Sequence, residues 1–388
     1  MDFAFTPEHQ ARRAEVRAFL GEAIVEDFGP SRLVNMDNWD GQLRFLKQLG
    51  KRNWVAPSWP KQYGGQGWKH VDQMIFAEEL AYNRAPDAGR TFSVGMIGPT
   101  LIVHGTPEQK AEHLPRITSG EVIWCQGYSE PQAGSDLANI QTRAVRDGDE
   151  YVINGQKIWT TGAHHADWCF LVTRTDPDLP KHKGITFLLA DMRTPGITVQ
   201  PIINLAGYHE FNQVFFEDVR VPVANRVGEE NNGWYVAMTL LDFERSNVAS
   251  IAANARSLED IAASMRNDPP QGVPINILRH RLADLWLSNE VGRLLSYRIA
   301  WMQESGKTVN VEASVIKIFA TEMGQKIANA GMGILGPYGA LVGKQRQAKL
   351  QGELAVDHME AVSPTIYSGS NEIQRNIIAT RGLGLPRD

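Results

Sequence analysis

The fold is decided in the stretch YVINGQKIW, residues 151–159. Its Tyr, Val, Ile and Trp residues favour β-strands, and they lie on both sides of Asn154-Gly155. An Asn-Gly pair between two such runs is the strongest short signal for a β-hairpin, so we expect a hairpin turn at this dipeptide. The stretch therefore marks a change from a helical pattern to a β pattern.

The residues before this change have helical periodicity. Thr6-Pro7 predicts a helix start, because the hydroxyl can cap the helix and proline suits its first position. The spacing of apolar residues predicts a further helix over 71–83, and Gly/Pro-rich breaks such as 56–60 and 63–67 separate the helical segments. We expect an N-terminal all-α domain over residues 1–121.

The β pattern continues beyond the predicted hairpin. Further strand candidates, each bounded by Gly, Pro or charged turns, are Trp168–Thr175, Gly184–Met192, Ile197–Ile202 and Gln213–Val221. About five to eight short strands at such spacing predict an antiparallel β-barrel or sandwich, which we place in residues 122–230.

Helical periodicity returns at Gly233 and continues to the C-terminus. Trp234, Met238 and Leu241 fall on one helical face, and the only obvious break is the polar stretch RNDPPQG at 266–272. We expect a C-terminal helical domain over residues 231–388.

Composition excludes several classes of protein. Of the 388 residues, 39 are Lys or Arg and 44 are Asp or Glu, which gives a net charge of −5. This balance excludes a polybasic nucleic-acid-binding protein and gives no electrostatic attraction to a membrane surface. No apolar run approaches the roughly 18 residues of a membrane span, and the N-terminus lacks a signal-peptide pattern. Cys125 and Cys169 are too few for a disulfide framework. We expect a cytoplasmic protein with no nucleic-acid partner and no membrane insertion.

Three local motifs invite a chemical interpretation that their context disfavours. GMGILG (331–336) has the spacing of a dinucleotide fingerprint but follows a helical pattern, so a helix C-terminus is the better interpretation. The His164-His165-x-Asp167 motif has no second ligand cluster, which favours a polar turn, and we expect no metal site. GYSEP (127–131) is one residue short of a nucleophile elbow, and its proline obstructs the required helix.

Three separated segments together resemble the acyl-CoA dehydrogenase family. They are YSEPQAGSD (128–136), NGQKIWTT (154–161) and YSGSNEIQR (367–375), called below the Tyr128, Trp159 and Ser368 segments. Their order and spacing match the family from about residue 5 to residue 386. Within the family, the sequence resembles the bacterial steroid-side-chain and pimeloyl-CoA dehydrogenases. The resemblance implies an α+β multidomain fold, with an N-terminal helical domain, a middle β-barrel-like domain and a C-terminal four-helix bundle.

The resemblance also implies a reaction and a cofactor. Members of the family remove an α-proton from an acyl-CoA thioester while a β-hydride passes to N5 of FAD, which gives the 2,3-enoyl-CoA. The family's flavin contacts correspond here to Tyr128, Ser129, Ser135, Trp159, Thr161, Ser370 and Glu372. Hydroxyls and backbone groups at 128–129 and 161 are expected to bond the polar edge of the flavin, and the Trp159 indole to pack against the ring, although a core role for Trp159 is the alternative.

The catalytic base is where the sequence departs from most of the family. The usual Glu after the Tyr of the third segment is replaced by Ser368, which cannot take up a proton at neutral pH. A minority of members carry the Glu immediately before an Arg on the helix that opens the C-terminal domain, and Glu244-Arg245 fits this pattern. We therefore assign Glu244 as the base, with a solvated helix pair as the alternative. By analogy, Ser135, Asp242, Arg245 and Ser368 contact the substrate.

The resemblance further implies partners. Electron transfer flavoprotein is the expected electron acceptor, and the assembly is a homotetramer or an α₂β₂ heterotetramer with a paralogous subunit. The heterotetramer is suggested by the stretch 268–276, which lacks the Arg and Phe with which self-sufficient members reach the FAD pyrophosphate. Arg266, Arg279 or backbone amides could replace them in a homotetramer. A non-catalytic, flavin-completing subunit and a flavin-dependent oxidase or monooxygenase remain alternative functions.

Overall fold

The computed structural model describes residues 4–28, 38–239, 246–270, 274–343 and 345–386. The longer helices are α1 (Pro7–Asp27), α2 (Trp39–Lys51), α3 (His70–Tyr82), α4 (Gly98–His104), α5 (Pro107–Thr118), α6 (Gly233–Thr239), α7 (Val248–Asn267), α8 (Ile275–Glu304), α9 (Val311–Leu335), α10 (Glu353–Glu360) and α11 (Asn371–Ile377). The strands are β1 (Trp124–Gly127), β2 (Arg143–Asp147), β3 (Glu150–Lys157), β4 (Trp168–Arg174), β5 (Ile185–Asp191), β6 (Ile197–Ile203), β7 (His209–Pro222) and β8 (Arg226–Val227).

The chain forms two compact units. One comprises Met1–Phe45, Trp68–Pro86 and Arg245–Asp388 and is helical in its described residues; the other comprises Leu46–Gly67 and Asp87–Glu244 and contains the sheet. The order of elements along the chain, helices then strands then helices, confirms the predicted fold class.

The helical unit buries apolar side chains where its helices pack. Ile75 of α3, Val248 of α7 and Tyr297 of α8 belong to one buried cluster, and Phe5 packs against it. The predicted helix start is confirmed, because the Thr6 hydroxyl accepts a hydrogen bond from the backbone N–H of His9 at 3.2 Å.

The sheet has the strand order β6-β7-β3-β2-β4-β5-β8, with β1 paired to β4. Most neighbours are antiparallel, as predicted, but β1 and β2 each pair with β4 in parallel. Strand β4 is buried along its whole length, because core side chains lie on both of its faces, and β5 is buried from Ile185 to Ala190. This sheet supports the loops that carry the Tyr128 and Trp159 segments.

The predicted hairpin turn at Asn154-Gly155 is wrong. Strand β3 runs straight through the dipeptide, and the β2–β3 turn lies at Gly148-Asp149 instead. Asn154 faces two residues of β7, so the dipeptide lies opposite a β-bulge. Its amide holds Asp218 of the bulge through two hydrogen bonds of 3.0 and 2.9 Å. These long-range bonds replace the local turn.

Two of the disfavoured motifs have the predicted structure. GMGILG ends α9, and a Cβ on Gly331 would lie 2.9 Å from Leu354, so this glycine allows close helix packing. Ala163–His165 forms a short 3₁₀ turn. Leu241, which was predicted to share a helical face with Trp234 and Met238, lies outside the described residues.

Candidate active site

The Tyr128 and Trp159 segments are joined in the sheet-containing unit by a buried ion pair. The Lys157 ammonium donates to Glu130 Oε1 at 2.7 Å and to the Tyr128 carbonyl at 3.2 Å. Glu130 also accepts the backbone N–H groups of Gln141 and Thr142, at 2.6 and 3.0 Å. The two segments are therefore fixed to each other by side chains that water does not reach.

The charges of this pair compensate their burial. Burial by itself raises the pKa of Glu130, but the Lys157 charge and the N–H donors outweigh it and keep that pKa below its usual range. Glu130 is thus ionised at neutral pH. Removing one partner of such a pair leaves an uncompensated buried charge, which commonly costs about 3–5 kcal/mol of stability.

Trp159 has an unusual backbone conformation. Its φ angle is +59°, in the left-handed region that bulky side chains rarely adopt. The residues on either side are fixed: the Ile158 N–H donates to the Ser129 carbonyl at 2.9 Å, and the Thr160 N–H donates to the Asn212 carbonyl at 2.9 Å. These two bonds hold the strained residue, which is a common feature of functional sites.

The Trp159 side chain is presented to solvent. Trp159 is 57 % exposed, and its indole contacts the Phe211 ring edge-on, with the centroids 5.8 Å apart. The half-buried hydroxyls of Ser129 and Thr161 make no hydrogen bond with any described residue. A flat apolar surface and free hydrogen-bonding groups therefore occur within two short segments.

Two other predicted flavin contacts of this unit have different settings. The Tyr128 ring packs edge-on against Phe170 in the core, and its hydroxyl is buried with no partner in the described part of the chain. Its backbone, rather than its hydroxyl, is therefore the part of Tyr128 suited to a ligand. Ser135 is exposed and precedes Asp136, which pairs with Lys181 at 2.9 Å.

The Ser368 segment lies in the helical unit. Ser368 is also left-handed, with φ at +53°, and Gly369 follows at +78°. The buried Asn371 anchors the segment, because its Oδ1 accepts from the Lys317 ammonium at 2.9 Å. Desolvation lowers the pKa of Lys317, because burying its charge costs free energy. The hydrogen bond to Asn371 offsets part of this cost.

Ser370 and Glu372 begin helix α11. The Ser370 hydroxyl caps the helix by accepting from the Ile373 N–H at 3.4 Å. Hydrogen bonds from its own backbone N–H and from Ser370 lower the pKa of Glu372, which is exposed. Glu372 is thus exposed at the start of the helix, whereas the half-buried Ser370 hydroxyl is engaged as the helix cap.

Family models decide the identity of the chain. Those for the N-terminal, middle and C-terminal domains of acyl-CoA dehydrogenases match residues 6–121, 125–219 and 231–383. The chain belongs to the acyl-CoA dehydrogenase family. It is accordingly an oxidoreductase of the acyl-CoA dehydrogenase type.

Full-length relatives agree with this assignment. Acyl-CoA dehydrogenase IpdE1 of Mycobacterium tuberculosis is 36 % identical over 385 residues, covering 97 % of each chain. Among solved structures, the Tcur3481-Tcur3483 steroid ACAD is 34 % identical with a TM-score of 0.90, and the ChsE4-ChsE5 complex of M. tuberculosis is 36 % identical with a TM-score of 0.90. Both of these matches cover 100 % of each chain.

The residues present fit the cofactor of this flavoprotein family. A flavin is a planar ring with polar groups along one edge. The exposed indole of Trp159 offers a flat packing surface, and the hydroxyls of Ser129 and Thr161, which have no partner among the described residues, offer hydrogen bonds. In the described ranges, no group of three or more His, Cys, Asp or Glu side chains could hold a metal ion.

The predicted catalytic base and two predicted substrate contacts fall outside the described residues. Glu244, Asp242 and Arg245 lie in the stretch 240–245, and residues 271–273 of the predicted pyrophosphate loop are also outside. The flanking Asn247 is described and is left-handed, with φ at +50°. In the part of the chain that the structure describes, no helix is both long enough and apolar enough to cross a bilayer.

Two contacts escaped the sequence analysis. Arg281 reaches over Gly333, where a Cβ would lie 3.4 Å from its Nη1, so it is a further cation beside the helix end that carries GMGILG. Asn212 of β7 binds the backbone of Thr160 with both its main chain and its side chain. Neither has a local signal, because both contacts join distant parts of the chain.

Proposed function

We propose that this chain catalyses the FAD-dependent α,β-dehydrogenation of an acyl-CoA thioester to the 2,3-enoyl-CoA. The observation that carries the proposal is Trp159, a strained and exposed aromatic residue fixed beside the free hydroxyls of Ser129 and Thr161. Strain at an exposed aromatic residue is difficult to explain by folding alone and is typical of a ligand site.

The cofactor contacts follow from this arrangement. Trp159 packs against the flavin ring, while Ser129, Thr161 and the backbone of Tyr128 bond its polar edge. Ser135, Ser370 and Glu372 are assigned to the rest of the cofactor. Bound FAD would supply the acceptor for the hydride that leaves the β-carbon.

The protein itself moves the α-proton. Glu244 accepts it as the general base, since Ser368 occupies the position where most family members carry a Glu. The Ser368 N–H polarises the thioester carbonyl and thereby makes the α-proton more acidic; such donors contribute about 3–4 kcal/mol in comparable oxyanion sites. Ser135, Asp242 and Arg245 are assigned to the entrance for the CoA moiety.

A bulky acyl group is the proposed substrate class. Ser246 and Asn247 follow the proposed base closely in sequence, and Ser368 occupies the position where most family members carry a Glu; these small side chains favour a branched or cyclic acyl group. The similarity to a protein described as a steroid ACAD supports the same class.

A panel of acyl-CoA thioesters tests the function. Under anaerobic conditions, substrates should bleach the flavin absorbance near about 450 nm, a property of the cofactor itself. We expect steroid-side-chain thioesters to bleach it faster than straight-chain thioesters of equal carbon number. Absence of bleaching by every thioester, with FAD bound, would contradict the proposal.

Electron transfer flavoprotein is the proposed electron acceptor. The substrate-reduced enzyme should be reoxidised faster by this flavoprotein than by dissolved oxygen. The opposite order would favour an oxidase or monooxygenase.

A second subunit is proposed to cover helix α8. Ile277, Leu287, Val291 and Leu294 share one face of this helix and are all exposed in the single chain. Exposed large apolar side chains on one helical face are typical of an interface. The ChsE4-ChsE5 relative was solved as a complex of two named proteins, and the stretch 268–276 has neither Arg nor aromatic residues, so we favour a paralogous partner that completes the FAD site.

Expressing the chain alone distinguishes the assemblies. The heteromer proposal predicts low FAD content, restored by a co-expressed paralogue. A stable homotetramer with close to one FAD per chain would contradict it and implicate Arg266 or Arg279. Val291→Asp should disrupt either assembly, whereas Val103→Asp, at an equally exposed position in the other unit, should not.

A further inference from the structure

Asn212 is a buried polar residue, and both polar atoms of its side chain make hydrogen bonds. Its Nδ2 donates to the Thr160 carbonyl at 3.0 Å and to His164 Nδ1 at 3.0 Å, and its Oδ1 lies 2.7 Å from His209 Nε2. A carbonyl can only accept, so the Thr160 contact fixes which atom of the amide is Nδ2. Consequently His164 accepts through Nδ1 in its neutral form, and His209 carries a hydrogen on Nε2.

The same residue binds Thr160 a second time through its main chain. The Thr160 N–H donates to the Asn212 carbonyl at 2.9 Å, so both backbone polar groups of Thr160 end on Asn212. Asn212 is itself fixed by its position in β7, opposite Pro201 of β6. Asn212 therefore binds the residue on the C-terminal side of the left-handed Trp159 at both of its backbone polar groups, and Ser129 binds the residue on the other side.

We propose that Asn212 is a positioning residue for flavin binding, acting through Thr160 to hold Trp159 in its left-handed, exposed conformation. The proposal rests on the proposed function, because it assumes that Trp159 packs against the flavin. Asn212 is wholly buried, so it acts only through the Trp159 segment and the imidazoles.

The imidazoles connect this network to solvent. The rings of His164 and His209 stack with centroids 3.9 Å apart, and the His165 ring lies 4.0 Å from that of His164. Together with Arg193 and Met192, His164 and His209 line a cavity of about 320 Å³ at the surface. Arg193 is paired with Asp191 at 2.7 Å.

Burial, and after it the neighbouring imidazoles of His165 and His209, oppose the protonation of His164. Arg193 and Asp191 beside the cavity are engaged with each other in an ion pair. Glu210 faces this turn with its backbone carbonyl, which accepts from the Gly162 N–H at 2.9 Å. The cluster is thus arranged for a neutral imidazole that accepts from Asn212.

Hydrogen exchange of the apoprotein tests the local part of the proposal. Asn212→Ala should raise the exchange rates of the Thr160 and Gly162 amides about tenfold or more, because Thr160 loses its side-chain anchor. The matched control is Asn225→Ala, which removes a single amide bond of 3.1 Å to the Leu189 carbonyl in another turn of the same unit. The control should leave these amides unchanged.

Titration with FAD tests the functional part, using the apo form of each variant in the assembly that binds FAD, with the co-expressed paralogue if the chain alone does not bind it. The dissociation constant for FAD should rise at least about tenfold in Asn212→Ala and remain within twofold in the control, since a lost anchor shifts the segment away from the binding conformation. Unchanged exchange at Thr160 would overturn the role of Asn212 and leave the proposed function intact. Faster exchange with unchanged FAD affinity would overturn both the positioning role and the assignment of Trp159 to the flavin.

Asn212→Asp keeps the proposal testable if the alanine variant does not fold. A carboxylate of the same size cannot donate to Thr160 or to neutral His164, so protection should be lost at neutral pH. Acidification should then restore protection, because a protonated carboxyl group can again donate to the Thr160 carbonyl, whereas wild-type protection should fall as His164 takes up a proton. The same direction of pH dependence in both proteins would contradict the network.

Discussion

The Trp159 and Ser368 segments each contain a strained backbone conformation, and different contacts stabilise it in the two segments. Each holds a non-glycine residue in the left-handed region, at +59° and +53°. The Trp159 segment is fixed by a fully buried ion pair and by backbone bonds of 2.9 Å to Ser129 and Asn212. The Ser368 segment is fixed by the hydrogen bond between Asn371 and the buried Lys317, whereas the Gln374 amide donates to the Ser368 carbonyl at 3.4 Å.

This difference teaches which part of the proposed site is rigid. The Trp159 segment has many short, buried bonds, so we expect it to be formed before any ligand arrives. Within the Ser368 segment, Ser368 and Gly369 are exposed and their carbonyls accept bonds of 3.4 Å from Gln374, which is typical of a turn that opens locally at low free-energy cost. The four predictions below test this contrast, from the largest expected effect to the smallest.

Breaking the buried ion pair should have the largest effect. Lys157→Met leaves Glu130 charged and buried, so the free energy of unfolding should fall by about 3–5 kcal/mol and FAD affinity should fall with it. Denaturant titration measures the first quantity. The control is Lys181→Met, which removes an exposed pair with Asp136 and should cost less than about 1 kcal/mol. Equal losses in the two variants would show that the Lys157 pair is not a special anchor.

Removing the anchor of the Ser368 segment should cost less. Asn371→Ala leaves the Lys317 ammonium without its amide partner, and the unfolding free energy should fall by about 1–3 kcal/mol. Asn376→Ala, at an exposed position of the same helix, serves as the control and should be nearly neutral. A loss in Asn371→Ala as large as that in Lys157→Met would contradict the ranking of the two segments.

The imidazole cluster should make the Trp159 segment sensitive to acid. Partial burial, and then the charges of His165 and His209, lower the pKa of His164 from 6.5 to about 4. Because the unfolded chain takes up this proton more readily, the stabilisation is present above pH 6.5 and is lost as the pH falls from 6.5 to about 4.

His164→Asn tests this pH dependence. The Asn oxygen can accept in place of Nδ1 but does not titrate, so the plot of melting temperature against pH should be flatter between 6.5 and about 4. The control is His182→Asn, since His182 packs edge-on against Trp234 at 4.8 Å, away from the cluster. A wild-type slope in His164→Asn would remove His164 from the network.

Relieving the strain at Ser368 should have the smallest effect. Ser368→Gly removes the left-handed penalty but adds chain entropy to the unfolded state, so the net change should lie within about 1 kcal/mol. Ser368→Val should be clearly destabilising, because a β-branched residue tolerates positive φ poorly. Equal melting temperatures for the two variants would indicate that this turn relaxes in solution.

The sequence predicted what depends on local pattern. The order of helices and strands, the Thr6 cap and the helical setting of GMGILG follow from periodicity and capping, and the structure confirms them. The three motifs were recognisable because each is continuous in the chain.

The features that the sequence did not predict depend on contacts between residues far apart in the chain. Asn154-Gly155 has the local chemistry of a turn, but its bonds to Asp218 of β7 keep it in a strand. The role of Asn212 depends on Thr160 and His164, which precede it by 52 and 48 residues, so no spacing rule reveals it. Lys157 and Glu130 belong to recognised motifs, yet their pairing appears only when the segments are brought together by the fold.

The rate of flavin reduction in Glu244→Gln tests the central claim most directly. Gln has nearly the same shape but cannot accept the α-proton, so anaerobic reduction by a good acyl-CoA substrate should slow by about two to four orders of magnitude. FAD content and thioester binding should be retained, and Glu229→Gln, at an exposed position, should reduce at the wild-type rate. Near wild-type reduction in Glu244→Gln, with the flavin fully bound, would contradict the account.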